Sequence, residues 1–513
     1  MTEKQCFPSA STEAKSRIAD NIIEPILHKK NMADIRKKLL EKFQQSNLYS
    51  NFGPAIKSMT IDGFRGLSNV KLDFEYPITA ISGTNGSGKS TIGQLAVCAY
   101  KQPRTNKKYA RRYVKDFFPV SQLDPTPFTP NANVKLQYAT NTNQLQDLTI
   151  KRAKKEWSGY NRQPERHCFY VGFALYIPKV ERKDFSIYKS TIFTIGTKRT
   201  ISDIIKTQVS NILNNQYDEI AFQSITHKSQ NVELGIVSKY GYSYTENHMG
   251  FGEGRLMYMI DLFENEPDNS LFVLEEPETS LHEDAQYKFI KYLMDVCNRK
   301  KHQIILSTHS SIILDALPPE GRKFIIRNSL GVKILDRVSS SRAKSILTDG
   351  NSKALTICVE DIFAHHLLRE AIRKLKPDWL QSLLIQPMGD TKAVANTVKL
   401  LLSLSTKVIG VRDADIGEDI SNKLFSLPGS LPPEKEVYDN KEVHKKLNSY
   451  FNFDIGTIFS GHSDLDHHKY GKILAEKACC SEEAMHLKAI ESYFEIFGLN
   501  IFDDLISKIE AEI

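Results

Sequence analysis

Two groups of residues far apart in the chain have types and spacing suited to phosphate chemistry. The run Gly83-Thr84-Asn85-Gly86-Ser87-Gly88-Lys89-Ser90-Thr91 fits GxxxxGK(S/T). The apolar stretch Ile78-Thr79-Ala80-Ile81 precedes it and a helix-like stretch, Ile92 to Tyr100, comes after it, which predicts strand, loop and helix in that order. Glycines in such a loop let successive backbone N–H groups turn toward nucleotide phosphates. Lys89 then reaches the terminal phosphates, and the Ser90 hydroxyl can ligate Mg²⁺ beside the positive end of the helix. Gly83, Asn85, Gly86, Gly88, Lys89, Ser90 and Thr91 are therefore candidate ATP-binding residues.

The second group is Asp413-Ala414-Asp415. In a locally extended segment, residues two apart project to the same side, so both carboxylates are expected to face one point. Oxygen ligands of this kind suit Mg²⁺ or Mn²⁺. Glu360, at the end of the apolar run Leu355 to Val359, is expected beside them, and a metal held there could generate a nucleophile and stabilise the leaving oxygen of a phosphodiester.

Further candidates fall between these groups. Gly250-Phe251-Gly252-Glu253-Gly254-Arg255 opens a helix-like stretch, Leu256 to Phe263, with Gly252 as a candidate nucleotide contact. The apolar run Leu271 to Leu274 ends at Glu275-Glu276, where one carboxylate (Glu275) can hold a Mg²⁺ shell while the next (Glu276) polarises the attacking water. Another apolar run, Ile304 to Thr308, delivers His309, whose imidazole can sense a γ-phosphate by hydrogen bonding.

The elements that must position these residues divide the chain. Residues 1–53 read as a helical extension, with Ile18, Ile22, Ile26, Ile35, Leu39 and Phe43 at helical spacing and Pro25 at a start or kink; packing on its own domain is the expected fate. Residues 54–335 read as a nucleotide-binding head with 101–247 as an inserted arm or dimerisation region. Residues 351–438 read as strand, helix, strand, helix, strand, a βαβαβ unit whose polar strand ends (Glu360, Gly389-Asp390, Asp413) share the carboxyl edge of one parallel sheet. Residues 439–513 read as a helical tail, in which Asp464, Asp466, His467 and His468 are expected to form a capping turn rather than a metal site.

With 513 residues, 41% hydrophobic and 25% charged, the chain is too long for one core. Its formal charge of +7 argues little by itself. Two local runs argue more: Lys101, Arg104, Lys107, Lys108, Arg111 and Arg112, and Lys151, Arg152, Lys154 and Lys155 near Trp157, each readable as a DNA-backbone contact or as a solvated face. The seven cysteines are scattered without CxxC spacing, which suggests a reducing compartment and no zinc site. No signal core or membrane-length apolar run is present, so a cytoplasmic location is expected.

The phosphate loop, the glycine run opening a helix, Glu275-Glu276-Pro277-Glu278 and Thr308-His309-Ser310 together resemble the heads of ABC-type ATPases of the SMC and OLD kind, over about residues 55 to 330. That resemblance implies a homodimer or higher oligomer in which two heads sandwich ATP, the glycine segment of one facing the phosphate loop of the other. Gly250 stands where the signature commonly has serine, and Glu275 where the second motif commonly has Asp. The Glu360, Gly389 and Asp413/Asp415 series looks like a Toprim domain, and an ATPase head joined to a C-terminal Toprim is the OLD nuclease layout. The segment Leu427-Pro428-Gly429 with Pro432-Pro433-Glu434 is similar to the stretch after Toprim in such proteins, which makes Glu434 a candidate extra ligand. OLD members often have Gly directly after the first Glu and an acid one helical turn on. Here Asp361 and Ala364 stand there, so Asp361 is the candidate substitute ligand; Lys441 and Lys469 are alternatives for the lysine this family places near the scissile phosphate.

The resemblance implies an α/β chain with an ATP-regulated, Mg²⁺- or Mn²⁺-dependent DNA endonuclease activity, serving as the effector of an anti-phage system with a retron RNA–DNA or Gabija-like helicase partner. The alternative is an SMC-like ATP-dependent DNA clamp or repair ATPase in which the Toprim unit is not catalytic. Long heptad arms between the nucleotide motifs would favour it, and 101–247 lacks them.

Overall fold

A computed structural model describes residues 34–103, 110–153, 156–177, 193–227, 230–329, 331–462 and 465–513. Two compact units result, residues 1–340 and 341–513. The expected helical positions Ile18, Ile22, Ile26 and Pro25, and also Arg104, Lys107, Lys108, Lys154, Lys155 and Asp464, lie outside the described residues. No helix among the described residues is long and apolar enough to cross a membrane.

The first unit opens with helix at 34–42 and Gln45–Phe52. Leu39, Phe43, Leu48 and Phe52 of this segment are fully buried, and Arg36 donates to the Ala316 carbonyl while Lys42 Nζ meets Asn298 Oδ1 at 2.8 Å. The described part of the extension thus packs on its own unit.

Strands β1 (Ile56–Phe64) and β2 (Val70–Asp73) pair antiparallel, and β3 (Ile78–Gly83), buried at every position, leads into the phosphate loop. The region 101–247, expected as an inserted arm or dimerisation region, is divided among three sheets by how its strands pair. Its first part, β4 (Phe128–Ala139), β5 (Leu145–Ala153) and β6 (Glu156–Ser158), completes a five-stranded antiparallel sheet of order β2-β1-β4-β5-β6. Next, β7 (Cys168–Val171) joins the nucleotide-binding sheet itself. Only the last part, β8 (Thr194–Thr200), β9 (Glu219–His227), β10 (Gln230–Lys239) and β11 (Tyr242–Thr245), forms a separate antiparallel sheet, with helix Asp203–Leu213 between β8 and β9.

The chain then returns through helix Phe251–Asn265 to β12 (Leu271–Glu275), β13 (Gln303–Ser307), β14 (Arg322–Asn328) and β15 (Gly331–Asp336). These complete a six-stranded sheet of order β15-β14-β3-β13-β12-β7, parallel apart from the β14–β15 hairpin. Parallel strands buried on both faces read as continuous apolar runs, which is why β3, β12 and β13 are so uniform. The register sets Ile81 beside Ser307 and Ser307 beside Glu275, so the loops after β3, β12 and β13 leave from one edge.

The second unit is a four-stranded parallel sheet of order β17-β16-β18-β19, with β16 at Leu355–Val359, β17 at Leu383–Pro387, β18 at Val408–Arg412 and β19 at Leu424–Ser426. Alternation along β16 sends Leu355, Ile357 and Val359 into one core and Cys358 into another. Helix Thr391–Ser403 covers the Cys358 face through Val394 and Val398. Helix Ile362–Leu375 covers the opposite face, together with Leu447, Met485, Ile490 and Ile509 from beyond residue 439. The helical tail therefore shares the core of the βαβαβ unit and folds with it.

Candidate ATP and carboxylate sites

In the first unit the phosphate loop joins a buried strand to helix Lys89–Val97, and the chain reverses through Gly86 and Gly88 at φ +73° and +111°. A Cβ on Gly88 would sit 3.0 Å from Leu67 Cδ2, so glycine also permits close packing there. Lys89 is buried, and its Nζ donates to the carbonyls of Gly83 at 2.9 Å and Thr84 at 3.0 Å. Burial lowers its pKa, opposed by Glu276 and Glu278. Asn85, Gly86 and Ser90 are exposed and Thr91 is buried. The helix's first turn offers N–H groups without intrahelical acceptors beside the loop.

Lys89, Ser90, Glu275 and Ser307 line one cleft. Glu275 Oε1 is buried without a hydrogen-bond partner, an acceptor in want of a cation or donor beside Ser90. Glu276 comes next at φ +40°, a strained backbone for a side chain, held by its N–H to Ser307 O at 3.1 Å. Its carboxylate is partly exposed and lies 3.5 Å from His309 Nε2. Burial, then the Lys89 charge, lowers the His309 pKa, against the neighbouring Glu276 carboxylate.

Two residues to which sequence reasoning gave no role hold this edge together. Arg255, almost wholly buried, donates to the carbonyls of Glu276 at 2.9 Å and Glu275 at 2.6 Å. Glu278 accepts from Thr308 and from the His309 N–H. Both stand inside the glycine and Glu-Glu-Pro-Glu motifs, but a buried role is visible only once helix Phe251–Asn265 meets the 276–281 turn. Gly252 is buried in that meeting, where a Cβ would fall 2.3 Å from Ser280 O, so its visible part is packing within the chain.

The basic runs are partly accounted for by structure. Arg111 Nη2 bonds Tyr160 O and Gln163, and its guanidinium lies over the Tyr113 ring at 4.8 Å. Arg152 lies over Phe128 at 4.8 Å and Trp157 at 5.9 Å, and Lys101 donates to Asn161 O.

Residues 135–314 match the AAA_15 family, described as an AAA ATPase domain. The first unit carries an ATPase domain. Its phosphate loop precedes the matched stretch, which takes in the Gly252 helix, Glu275, Glu276 and His309. No curated protein matches the chain. Among solved structures, the SMC head domain from Thermotoga maritima is 18% identical, covering 55% of this chain and 98% of its own, at a TM-score of 0.32. An Smc head domain with an extended coiled coil bound to the C-terminal domain of ScpA, from Pyrococcus furiosus, is 13% identical over 57% of this chain and 99% of its own, at a TM-score of 0.37. An SmcHead bound to the C-winged helix domain of ScpA is 15% identical over 57% and 100%, at 0.34.

In the second unit, the strand ends gather carboxylates. Glu360 Oε1 accepts the Asp413 N–H at 3.1 Å and its Oε2 accepts the Thr391 hydroxyl at 2.8 Å, while the Gly389 N–H donates to Glu360 O at 2.8 Å. Asp361 caps helix Ile362–Leu375 through the Ala364 N–H, so its place after Glu360 has a structural cause as well. Asp413 is buried and its Oδ1 has no hydrogen-bond partner. Burial, then Glu360, Asp361 and Asp415, pushes its pKa up to about 8. Glu434, on the short helix Pro433–Tyr438, is buried too, and burial with Asp361 raises its pKa.

One expectation about this edge needs correcting. Residues 413–416 form a turn, closed by the Ile416 N–H to Asp413 O at 3.3 Å, not an extended segment. Period-two projection therefore does not apply; Asp413 is buried and Asp415 exposed, though Asp415 still acts electrostatically on Asp413.

Proposed function

We propose that the second unit is a Toprim-type centre and that the chain is an OLD-type, ATP-regulated DNA endonuclease acting in phage defence. The observation that carries this reading is the convergence of Glu360, Asp361, Asp413 and Glu434 at the carboxyl edge of one parallel sheet, with Asp413 Oδ1 and Glu434 Oε2 buried and unpartnered. Like charges gathered in a buried site call for a counter-ion, and an all-oxygen donor set fits Mg²⁺ or Mn²⁺. Glu360, Asp413 and Asp415 would hold that ion, with Asp361 and Glu434 at a neighbouring position. Bound there, a divalent ion supplies Lewis acidity toward a phosphodiester and an activated water. Glu360 keeps the edge in shape, since its two oxygens tie the Asp413 backbone to the Thr391 side chain.

In the ATPase domain, Lys89 is the phosphate-binding cation, Ser90 and Glu275 the Mg²⁺ holders, Glu276 the base and His309 the γ-phosphate sensor. ATP-dependent pairing of two copies, a cytoplasmic location and a retron RNA–DNA or helicase partner belong to the same proposal. Incubating the purified chain with supercoiled plasmid and Mg²⁺ or Mn²⁺, with and without ATP, tests it. Nicked or linear product from the wild type and none from Asp413→Ala is expected; intact plasmid under every condition sinks the nuclease reading and favours an ATP-dependent clamp.

A further inference from the structure

The turn expected to cap a helix does so. Asp466 accepts the His468 N–H at 3.2 Å and starts the short helix His467–Lys469. The same turn carries both imidazoles to the carboxylate edge. Glu434, His467 and His468 each present one ligating atom within 4.8 Å of the others. His468 Nδ1 lies 3.2 Å from Glu434 Oε1 and 3.4 Å from Asp361 Oδ2. Two donors bound at roughly 2.1 Å to one tetrahedral ion stand about 3.4 Å apart, so these separations match coordination edges.

Hydrogen bonding alone leaves this group unsatisfied. One Nδ1 proton serves one acceptor well, and Glu434 Oε2 has no partner although the side chain is only 5% exposed. Asp361 and Glu434 both turn a carboxylate oxygen toward the same His468 nitrogen, so two acidic groups share one imidazole edge.

We propose that His467, His468, Glu434 and Asp361 form a site for a first-row transition ion of the Zn²⁺ or Mn²⁺ kind, set apart by its nitrogen donors from the all-oxygen position at Glu360, Asp413 and Asp415. The site rests on the proposed nuclease centre only in taking Asp361 and Glu434 as ligands. Imidazole favours such ions over Mg²⁺, which prefers oxygen and gives up water reluctantly. The carboxylate edge then holds two unlike positions, and metal choice at one of them is set by the helical tail.

Calorimetric titration of the full chain with ZnCl2, MnCl2 and MgCl2 near neutral pH tests this. The wild type is expected to bind Zn²⁺ at least about tenfold more tightly than Mg²⁺. The double variant His467→Ala/His468→Ala should lose one Zn²⁺ equivalent or about tenfold or more in its affinity, while Mg²⁺ binding stays unchanged. His467→Gln/His468→Gln keeps polar side chains there and should show the same loss, and unfolding curves taken without metal check that both variants fold. Wild-type Zn²⁺ affinity and stoichiometry in either folded double variant, or no preference for Zn²⁺ over Mg²⁺ in the wild type, overturns the site. A wild type that takes up Zn²⁺ through the histidines yet never cuts plasmid supports the site while removing the nuclease reading.

Discussion

Glu278 fixes the backbone of His309: its Oε1 accepts the His309 N–H at 3.0 Å and, from the residue before, the Thr308 hydroxyl at 2.6 Å. The turn after β12 is thereby tied to the end of β13, and the His309 ring is set 3.5 Å from the Glu276 carboxylate. Arg255 holds the other side of the same turn through the Glu275 and Glu276 carbonyls. The strained Glu276 backbone is thus held from both sides, as the base proposed for it would require.

Binding and turnover should therefore separate in the ATPase domain. Lys89→Ala removes a charge-assisted contact to the terminal phosphates and should weaken ATP binding about tenfold or more. Glu276→Gln keeps shape and loses the base, so it should bind ATP normally and lower turnover by about 10² or more. Nucleotide-binding fluorescence and phosphate release measure the two. Wild-type hydrolysis by Glu276→Gln would move the base elsewhere, Glu278 being next in line.

Close packing at Gly252 should show in both stability and turnover. An added Cβ would lie 2.3 Å from the Ser280 carbonyl oxygen, a backbone atom, so helix Phe251–Asn265 or the 276–281 turn must move. Gly252→Ala should cost about 1–3 kcal/mol in unfolding and slow ATP turnover by displacing Arg255. Gly250→Ala is the control, because a Cβ there meets nothing within 4 Å and φ is already −61°. Equal melting temperatures for the two variants would refute the packing argument.

Acid should weaken the first unit through His302. This ring is fully buried, with its Nδ1 accepting the Ser270 N–H at 3.3 Å and its Nε2 3.1 Å from Phe263 O, which fixes the neutral tautomer with the proton on Nε2. Burial takes its pKa down to about 3 from an ordinary 6.5. The unfolded chain therefore binds the proton first. The stability contributed by the neutral ring is present above pH 6.5 and is lost as pH falls toward 3. At about 1.4 kcal/mol per pH unit across that window, a few kcal/mol disappear by about pH 4. Urea unfolding between about pH 4 and 7 should show this slope in the wild type and a flatter one in His302→Gln; identical slopes would remove His302 as the cause.

The parts of the chain legible from sequence were those fixed by local pattern. The runs before Lys89, Glu276, His309, Glu360 and Asp413 are largely buried parallel strands, rich in apolar residues and bounded by polar ones, and their ends fall within a residue or two of expectation. What escaped depends on contacts between distant segments. The pairing of Ile61 with Val134 decides that β4 belongs to the opening sheet, and no local period announces it. The approach of His467 and His468 to Glu434 likewise depends on the tail helices joining the core under β16. At Asp413 the strand pattern was carried two residues too far, past the point where the backbone turns.

A nuclease able to cut cellular DNA must be restrained until needed, and on one polypeptide the state of an ATPase domain can bias a cutting centre only through a shared conformational equilibrium. The hypothesis is that cells expressing the chain with its native neighbouring genes resist some phages, and that resistance needs both Lys89 and Asp413. Lys89→Ala should depopulate the ATP-bound state while leaving the carboxylate edge intact. Asp413→Ala removes a buried carboxylate from that edge while leaving ATP hydrolysis largely intact, because the two groups sit on different sheets. Plaque counts on lawns expressing each variant should therefore rise to the level of the empty control, with purified Asp413→Ala still releasing phosphate from ATP. Full protection by Asp413→Ala would show that the carboxylate edge does not act in defence, and full protection by Lys89→Ala alone would show that ATP does not govern it.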